Sequence, residues 1–260
     1  MALKLSAALR NMINEGASLK QAMSNCVLKW YTGAQPATAE AAPTGTLACT
    51  FSDNSGALTR EVLSVGSVAL TGGGAGSVNT LTVNGIEIMG SVTNFNASLI
   101  QTATDIVTKI NNNPKNLLFT ASNALGTSAT ITIAAKPGLG SLANAWVVAS
   151  TVTTITKTDT NMAGGVTALN GLTWGDSAAG TLSKHPTQVW SGLALQTVTV
   201  GWFRFEAAVA DPLSTDAAEA ILRIDGAIAV SGGEQNMGTP SIIAGVTQRL
   251  NDFSLTLPTD

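Results

Sequence analysis

Side chains able to do acid–base or nucleophilic chemistry are few and isolated in this sequence. His185 is the only histidine, and it sits in a turn-like stretch, residues 183–186, with no Gly-x-Ser-x-Gly motif nearby. A Ser-His-Asp triad needs a histidine beside its nucleophile. We therefore expect His185 to be a surface or packing residue.

The two cysteines, Cys26 and Cys49, adjoin apolar residues. This favours two buried free thiols, with a disulfide between them as the alternative. Two separated cysteines and one histidine do not form a ligand set with the spacing of a zinc site.

The acidic residues are scattered along the chain. The densest group, residues 211–219, lacks the ligand spacing of a calcium loop. A pair of glycosidase carboxylates would meet only in the folded protein, and no motif supports one. The sequence therefore predicts a protein that is not an enzyme, with no catalytic residue, metal or cofactor.

Two further patterns resemble ligand sites only superficially. The glycine-rich stretch 72–77 lacks the lysine of a phosphate loop and is followed by a strand, so a linker is the better interpretation. Four tryptophans are candidates for a sugar groove, although their strand positions favour the core, most clearly for the last: Trp30, Trp174, Trp190 and Trp202.

Charge is scarce in this chain. Charged residues make up 11% of the sequence, well below the ~25% usual for soluble proteins. Such a surface resists self-association weakly, which suits a protein packed against copies of itself or a larger body. With 13 basic and 16 acidic residues, there is no excess positive charge for nucleic acid. No secretory signal and no apolar run long enough for a membrane span is evident, so we expect a soluble product made in a cytoplasm.

The N-terminal segment, residues 4–24, has the pattern of two short helices. Gly16 is suited to end the first, and Ser18 to cap the second. Apolar residues recur at helical spacing before Gly16: Leu5, Leu9, Met12 and Ile13. We expect this segment to dock on a β body, although it could also reach a neighbouring subunit.

Strands follow at 27–31 and 46–51, separated by an irregular loop. After about residue 66 a second, self-contained pattern of strands and a helix begins. Asn84-Gly85 predicts a hairpin, and an apolar stripe predicts a helix over 97–112. Strands are predicted at 117–121, 130–135 and 145–156. This order, β-β-α-β-β, predicts a small α+β sandwich.

β patterning resumes from Leu172. The stretch 189–208 predicts a central strand with Val198, Val200 and Trp202 on one face, and Phe203 and Phe205 on the other. Asp225-Gly226 predicts a second hairpin, and 252–257 a last strand.

The predicted fold class is mainly β. It consists of a discontinuous antiparallel β-sandwich with short N-terminal helices, residues 1–66 and 169–260, and an inserted small α+β domain, residues 67–168. Such insertions at loop tips are well tolerated.

Three stretches together resemble structural proteins of tailed-bacteriophage virions. The first is the N-terminal helix with LKWYTGAQPATAEAAPTGTL at 28–47. The second comprises LTWGD at 172–176, GTLSK at 180–184, WSG at 190–192 and GWFRF at 201–205. The third comprises LRIDG at 222–226, SG at 231–232 and FSLTLP at 253–258. The insert is similar to a small module of flagellar hook-associated and phage tail proteins.

The resemblance implies a β-sandwich component of a virion that has no enzymatic activity. The leading expectation is a capsid decoration or cement protein that binds the assembled head shell; a neck, collar or tail accessory protein, or a carbohydrate-binding host-adhesion module, is the alternative. Its partners would be the major capsid protein or other virion proteins, with a homo-oligomer expected and a trimer possible. The candidate assembly contacts are in the N-terminal segment and the following loop: Leu5, Leu9, Ile13, Gln35, Pro36 and Pro43.

Overall fold

The computed structural model describes residues 3–256. Strands account for 41% of the protein and helices for 13%, in several antiparallel sheets, which confirms the mainly β fold. The chain forms two compact units: a parent unit of residues 1–60 with 168–260, and an inserted unit of residues 61–167. The inserted unit begins at Glu61 rather than at residue 67. Its carboxylate belongs to that unit because it accepts N–H bonds from Gly138 and Gly140, at 2.7 and 2.9 Å.

The parent unit begins with a short strand, two helices and two strands: β1 (Lys4–Leu5), α1 (Ala7–Asn14), α2 (Leu19–Ala22), β2 (Val27–Thr32) and β3 (Leu47–Asp53). The inserted unit contains eight strands and one long helix: β4 (Val65–Gly72), β5 (Ser77–Val83), β6 (Ile86–Glu87), β7 (Thr93–Asn94), α3 (Leu99–Asn112), β8 (Phe119–Ser122), β9 (Thr130–Ala135), β10 (Val148–Thr153) and β11 (Thr156–Ala163). The parent unit resumes with eight strands: β12 (Thr181–Ser183), β13 (Trp190–Leu193), β14 (Val198–Glu206), β15 (Arg223–Ala229), β16 (Gln235–Asn236), β17 (Ser241–Ile242), β18 (Thr247–Leu250) and β19 (Ser254–Thr256).

The N-terminal helices dock on the parent unit. The side chain of Ser6 accepts the N–H of Leu9 at the start of α1, and Ser18 forms a capping box with Gln21 at the start of α2. Gly16 has a φ of +101°, the left-handed conformation that ends a helix. Leu9 is fully buried in the parent core, so docking is the outcome.

One large sheet organises the parent unit. Its strand order is β1-β15-β14-β2-β3-β13-β18, with β16 added beside β15 and β17 beside β14. A separate two-stranded sheet, β12-β19, contributes Leu182 and Leu255 to the same core. Aromatic rings fill this core, with Trp174, Phe205 and Phe253 in mutual contact at centroid distances of 5.2 to 6.1 Å.

The predicted sides of β14 were partly wrong. Val198 and Val200 pack toward the same core as Phe203 and Phe205, whereas Trp202 lies on the opposite face and stacks on Tyr31 at 4.5 Å. The pairing register of β14 with β2 shifts between Val200 and Trp202, a bulge that reverses the alternation. Gly201 sits at this bulge, where a Cβ would lie 2.0 Å from the Gly33 carbonyl oxygen.

The hairpin predicted at Asp225-Gly226 was also wrong. Both residues lie inside β15, where Asp225 pairs with Arg204 and Gly226 with Phe203. Gly226 is needed for packing rather than for a turn, because a Cβ there would lie 2.3 Å from Cζ of Phe203.

The inserted unit has two four-stranded sheets and α3. One sheet has the order β10-β5-β6 with β7 beside β5, and the other has the order β11-β4-β9-β8. The hairpin is confirmed, since Asn84 and Gly85 both have positive φ, at 49° and 78°. The helix is confirmed as α3, capped by Ser98, with Ile106 and Ile110 fully buried.

The strand predicted over 145–156 is two strands, β10 and β11, separated by Thr154, whose φ is +67°. Threonine seldom adopts this conformation, which is why no turn was predicted there. The unit therefore has more strands than the predicted β-β-α-β-β order. The last predicted strand of the chain, 252–257, is β19; its Leu257 lies outside the described residues.

Candidate functional site

The face of the large parent sheet that lies opposite the aromatic core carries charged residues that are buried. Alternation along β14 and β15 places Arg204, Glu206, Arg223 and Asp225 on the face opposite the aromatic core. All four are at most 1% exposed. Charged residues are almost never this buried unless they are paired, so their partners define the site.

Arg204 and Asp225 form a two-pronged ion pair between neighbouring strands. The Nε and Nη2 atoms of Arg204 each donate to one carboxylate oxygen of Asp225 at 2.7 Å. Burial tends to lower the pKa of Arg204, but the hydrogen bond and charge of Asp225 outweigh that effect and raise it. The guanidinium therefore stays charged within the protein.

Arg223 and Asp211 form a second such pair. The two donor–acceptor distances are both 2.6 Å, and the backbone N–H of Leu213 adds a third bond to Asp211 at 2.7 Å. Burial acts to raise the pKa of Asp211, yet these bonds and the charge of Arg223 hold it below its ordinary value. Asp211 is thus ionised and fixed.

A third group of charges lies beside them. The Glu206 carboxylate contacts Lys29 Nζ at 2.7 Å and Arg60 Nη2 at 2.9 Å. Burial raises the pKa of Glu206, and the two cations offset only part of that rise.

The same two arginines also fasten the loop of residues 33–46, which we call the fastened loop, Arg204 through the Nη2 atom that bonds Asp225 and Arg223 through its Nη1. Arg204 donates to the carbonyl oxygens of Ala39 and Ala41 at 3.3 and 3.0 Å. Arg223 donates to those of Ala39, Glu40 and Ala41 at 3.0 to 3.3 Å. Two buried ion pairs therefore hold three successive carbonyls of a loop that has no regular structure of its own.

The N-terminal segment joins this arrangement. The Glu40 carboxylate accepts the N–H of Ala7 at 2.7 Å, at the start of α1, and Lys4 Nζ donates to the carbonyl of Pro36. Between the segment and the loop lies a shallow groove of about 360 Å³, lined by residues from both: Leu3, Lys4, Leu5, Arg10, Ala37, Thr38, Ala39 and Glu40.

Four of the six predicted assembly contacts are partly exposed and two are buried. Leu5 lines the groove, and Gln35 and Pro43 are half-buried in the fastened loop. Ile13 is half-buried against the core. Leu9 and Pro36 are buried, so their side chains are not part of the surface, and the prediction for these two is corrected. For Leu9 the reason is that α1 turns its apolar stripe inward.

Sequence analysis missed the buried ion pairs that position this surface. A signal was present, because Arg204 stands between Phe203 and Phe205 in a strand predicted to be central. A charge in such a strand indicates a buried partner. The sequence does not reveal the partner, because Asp225-Gly226 has the composition of a turn.

The other candidate residues have structural positions. All four tryptophans considered for a sugar groove are at most 2% exposed, so they form no such groove. Cys26 and Cys49 are free and buried, as expected, and burial raises the pKa of each thiol to about 12. His185 lies half-buried in a turn, with its Nδ1 3.0 Å from the Thr187 hydroxyl.

Within residues 3–256, no group of three or more His, Cys, Asp or Glu side chains has an arrangement that could hold a metal ion. No helix in the same part of the chain is long and apolar enough to cross a membrane. Comparison of the chain with known protein families, with curated proteins and with solved structures yields no match.

Proposed function

We propose that this chain is a non-enzymatic structural protein of a tailed-bacteriophage virion, made in the host cytoplasm, that decorates the assembled head shell. Its partner would be the major capsid protein, contacted through the N-terminal segment and the fastened loop. The proposal assigns it no cofactor and neither a nucleic-acid nor a membrane partner.

The observation that carries the proposal is the fastening of residues 39–41 by Arg204 and Arg223. Burying two ion pairs seldom increases stability compared with apolar side chains, but it can specify one conformation. Here the specified conformation is that of a surface loop and its groove. A preformed surface loses little conformational entropy on binding, which favours docking to a rigid partner.

The residues that suggest the virion family are those that build this arrangement. The stretch 28–47 contains the fastened loop, while 201–205 and 222–226 contain Arg204, Arg223 and Asp225. The low charged fraction also suits a protein that works within a dense assembly. Repetition over a symmetric shell would turn a weak contact into strong avidity. A homo-oligomer, with a trimer as one option, would match the three-fold positions of such a shell.

The test is binding of the purified full chain to separated DNA-filled heads and tails, with copies counted per particle. We expect saturable binding to heads at a number set by the shell lattice. Thr38→Arg, an exposed change in the groove, should abolish binding, whereas Thr187→Arg, an exposed change elsewhere in the parent unit, should not.

Two outcomes would replace this proposal. Binding of a few copies at the head–tail junction would make the protein a neck or tail accessory component. Absence from both heads and tails would remove the virion assignment.

A further inference from the structure

The parent unit has a cleft that is lined by no residue of the fastened loop. It has a volume of about 620 Å³, within the ~300–1,000 Å³ usual for sites of small ligands. Its lining is mostly polar: Ser183, Lys184, Pro186, Glu234, Gln235, Asn236, Asn251, Asp252, Phe253 and Ser254. We call it the amide cleft. Gln235 and Phe253 are buried and form its floor, and the other residues form its rim.

Gln235 supplies a hydrogen-bond donor that nothing in the described chain uses. Its Oε1 accepts the indole N–H of Trp30 at 3.1 Å, and an indole can only donate, so this bond identifies the oxygen end of the amide. The Nε2 atom is buried and has no partner among residues 3–256. A buried donor without an acceptor is unfavourable. Because Gln235 lines the cleft, a shift of its amide toward the opening would let a ligand provide that acceptor.

The rim disfavours an anion. Asp252 is exposed on it, and within residues 3–256 Glu234 uses only Oε2, for the N–H of Ala227 at 2.6 Å. The single cation, Lys184, donates to the carbonyls of His185 and Gln188. The two carboxylates therefore line the cleft without a cation of their own and can accept hydrogen bonds from a ligand.

The rest of the rim favours a neutral ligand with many hydroxyl groups. Asn236, Asn251, Ser183 and Ser254 are exposed and can both donate and accept. Pro186 adds an exposed apolar ring, and the Phe253 floor adds another apolar surface.

We infer that the amide cleft binds a saccharide. Hydroxyl groups would donate to Glu234 and Asp252 and accept from Gln235 Nε2, while the C–H face of the sugar would lie on Pro186. No residue of the fastened loop or its groove lines the cleft, so the two surfaces can be tested separately.

The test uses the indole N–H signals of the intact, ¹⁵N-labelled protein. The Trp30 indole is bonded to Gln235, so its signal reports on that amide, and Trp146 of the inserted unit is an internal control. A panel of hexoses, N-acetylhexosamines and their short oligomers would be titrated to ~10 mM, which detects a Kd near ~1 mM.

We expect a saturable shift of the Trp30 signal by at least one saccharide, without a shift of Trp146. The double variant Asn251→Ala, Asp252→Ala should weaken that binding by about tenfold or more, because it removes rim hydrogen bonds, one of them to a charged group. Asn112→Ala, an exposed asparagine of α3, is the matched control and should bind as the wild type does.

Three results would overturn the inference. One is the absence of a Trp30 shift with every saccharide, and another is an equal shift of all indoles, which would mean unspecific binding. The third is a shift that an extended peptide produces and saccharides do not.

Discussion

The two units bury polar groups in different ways. In the parent unit five charged side chains are at most 1% exposed: Arg204, Glu206, Asp211, Arg223 and Asp225. In the inserted unit Glu61 is the one buried charged residue among those described, and its partners are backbone N–H groups. Side-chain amides bond backbone groups in that unit; Asn116, for example, bonds three backbone groups near the end of α3.

The difference shows what each unit requires of its sequence. The bonds of Asn116 are local, because their partners lie within six residues of it, and loss of a neutral amide leaves no buried charge behind. An ion pair between strands constrains residues distant in sequence, since removal of one partner leaves the other charged and buried. We therefore expect single charge changes to be far more damaging in the parent unit.

The largest effect should come from Asp225→Ala. Arg204 would keep its charge at 0% exposure without a counter-charge, and we expect a loss of about 4 kcal/mol in the free energy of unfolding. Urea denaturation would measure it. Asp176→Ala, which removes a fully exposed carboxylate paired with Lys20, is the control and should change nothing measurable.

If Asp225→Ala does not fold, the double variant Arg204→Met, Asp225→Leu keeps the comparison testable. It should recover most of the stability, because apolar residues of similar size replace the buried charges. The amide hydrogen of Ala41, which donates to the Thr38 carbonyl at 3.3 Å, should nevertheless exchange faster, since two of the bonds that hold the fastened loop are gone. Unchanged exchange would mean that Arg204 does not hold the loop.

These ion pairs also mark the boundary of what the sequence could predict. Local patterns were read correctly: α3 was predicted over 97–112 and spans Leu99–Asn112, and β9 and the Asn84-Gly85 hairpin lie where expected. The failures concern features set by distant residues. Asp225-Gly226 has the composition of a turn, but its conformation depends on Arg204 and on the ring of Phe203.

For the candidate site, the sequence indicated the region but not its construction. The loop that contains Gln35 and Pro43 was identified from its proline and glycine content. Its attachment depends on backbone carbonyls, which carry no sequence signal, and on arginines at least 160 residues away, such as Arg204 to Ala39, 165 residues apart. The exposure of individual side chains, as for Leu9, depends on how α1 docks and could not be read from periodicity alone.

A smaller effect is expected at the seam between β10 and β11 in the inserted unit. The Asp159 carboxylate accepts the N–H of Ser150 at 2.9 Å and its hydroxyl at 2.8 Å, and Asn161 accepts the N–H of Val148 at 3.1 Å. These side chains connect β10 to β11, which belong to different sheets and therefore have no backbone hydrogen-bond ladder between them. Asp159→Ala should lower the free energy of unfolding by about 2 kcal/mol.

The Ser150 amide hydrogen reports on this seam directly. It should exchange faster in Asp159→Ala, whereas Asp159→Asn, which keeps an acceptor oxygen at the same place, should retain most of its protection. Persistent protection of Ser150 in Asp159→Ala would show that apolar packing closes the seam without the carboxylate.

The smallest expected effect is a pH dependence of stability that comes from titration of Asp211. It is absent near neutral pH and grows as the solution becomes acidic. Its pKa in the folded protein lies below its ordinary value of 3.8, mainly because Arg223 and Leu213 bond the ionised form. Above pH 3.8 both the folded and the unfolded states are ionised, and the full contribution to stability is present. As the pH falls below 3.8 the unfolded state takes up a proton first, so this contribution is lost as the pH passes through the folded pKa.

Glu206 also titrates in acid, but its pKa is raised, so its contribution to stability is lost as the pH rises above the ordinary value of 4.5. Asp211→Asn removes only the Asp211 titration and therefore separates the two. The variant will be less stable at all pH values because Arg223 loses its counter-charge, so the level of stability decides nothing. The slope does: below pH 3.8, urea midpoints of the variant should fall less steeply with acid than those of the wild type. Equal slopes would mean that Arg223 and Asp211 are not paired in solution, and the contrast between the two units would then rest on Arg204 and Asp225 alone.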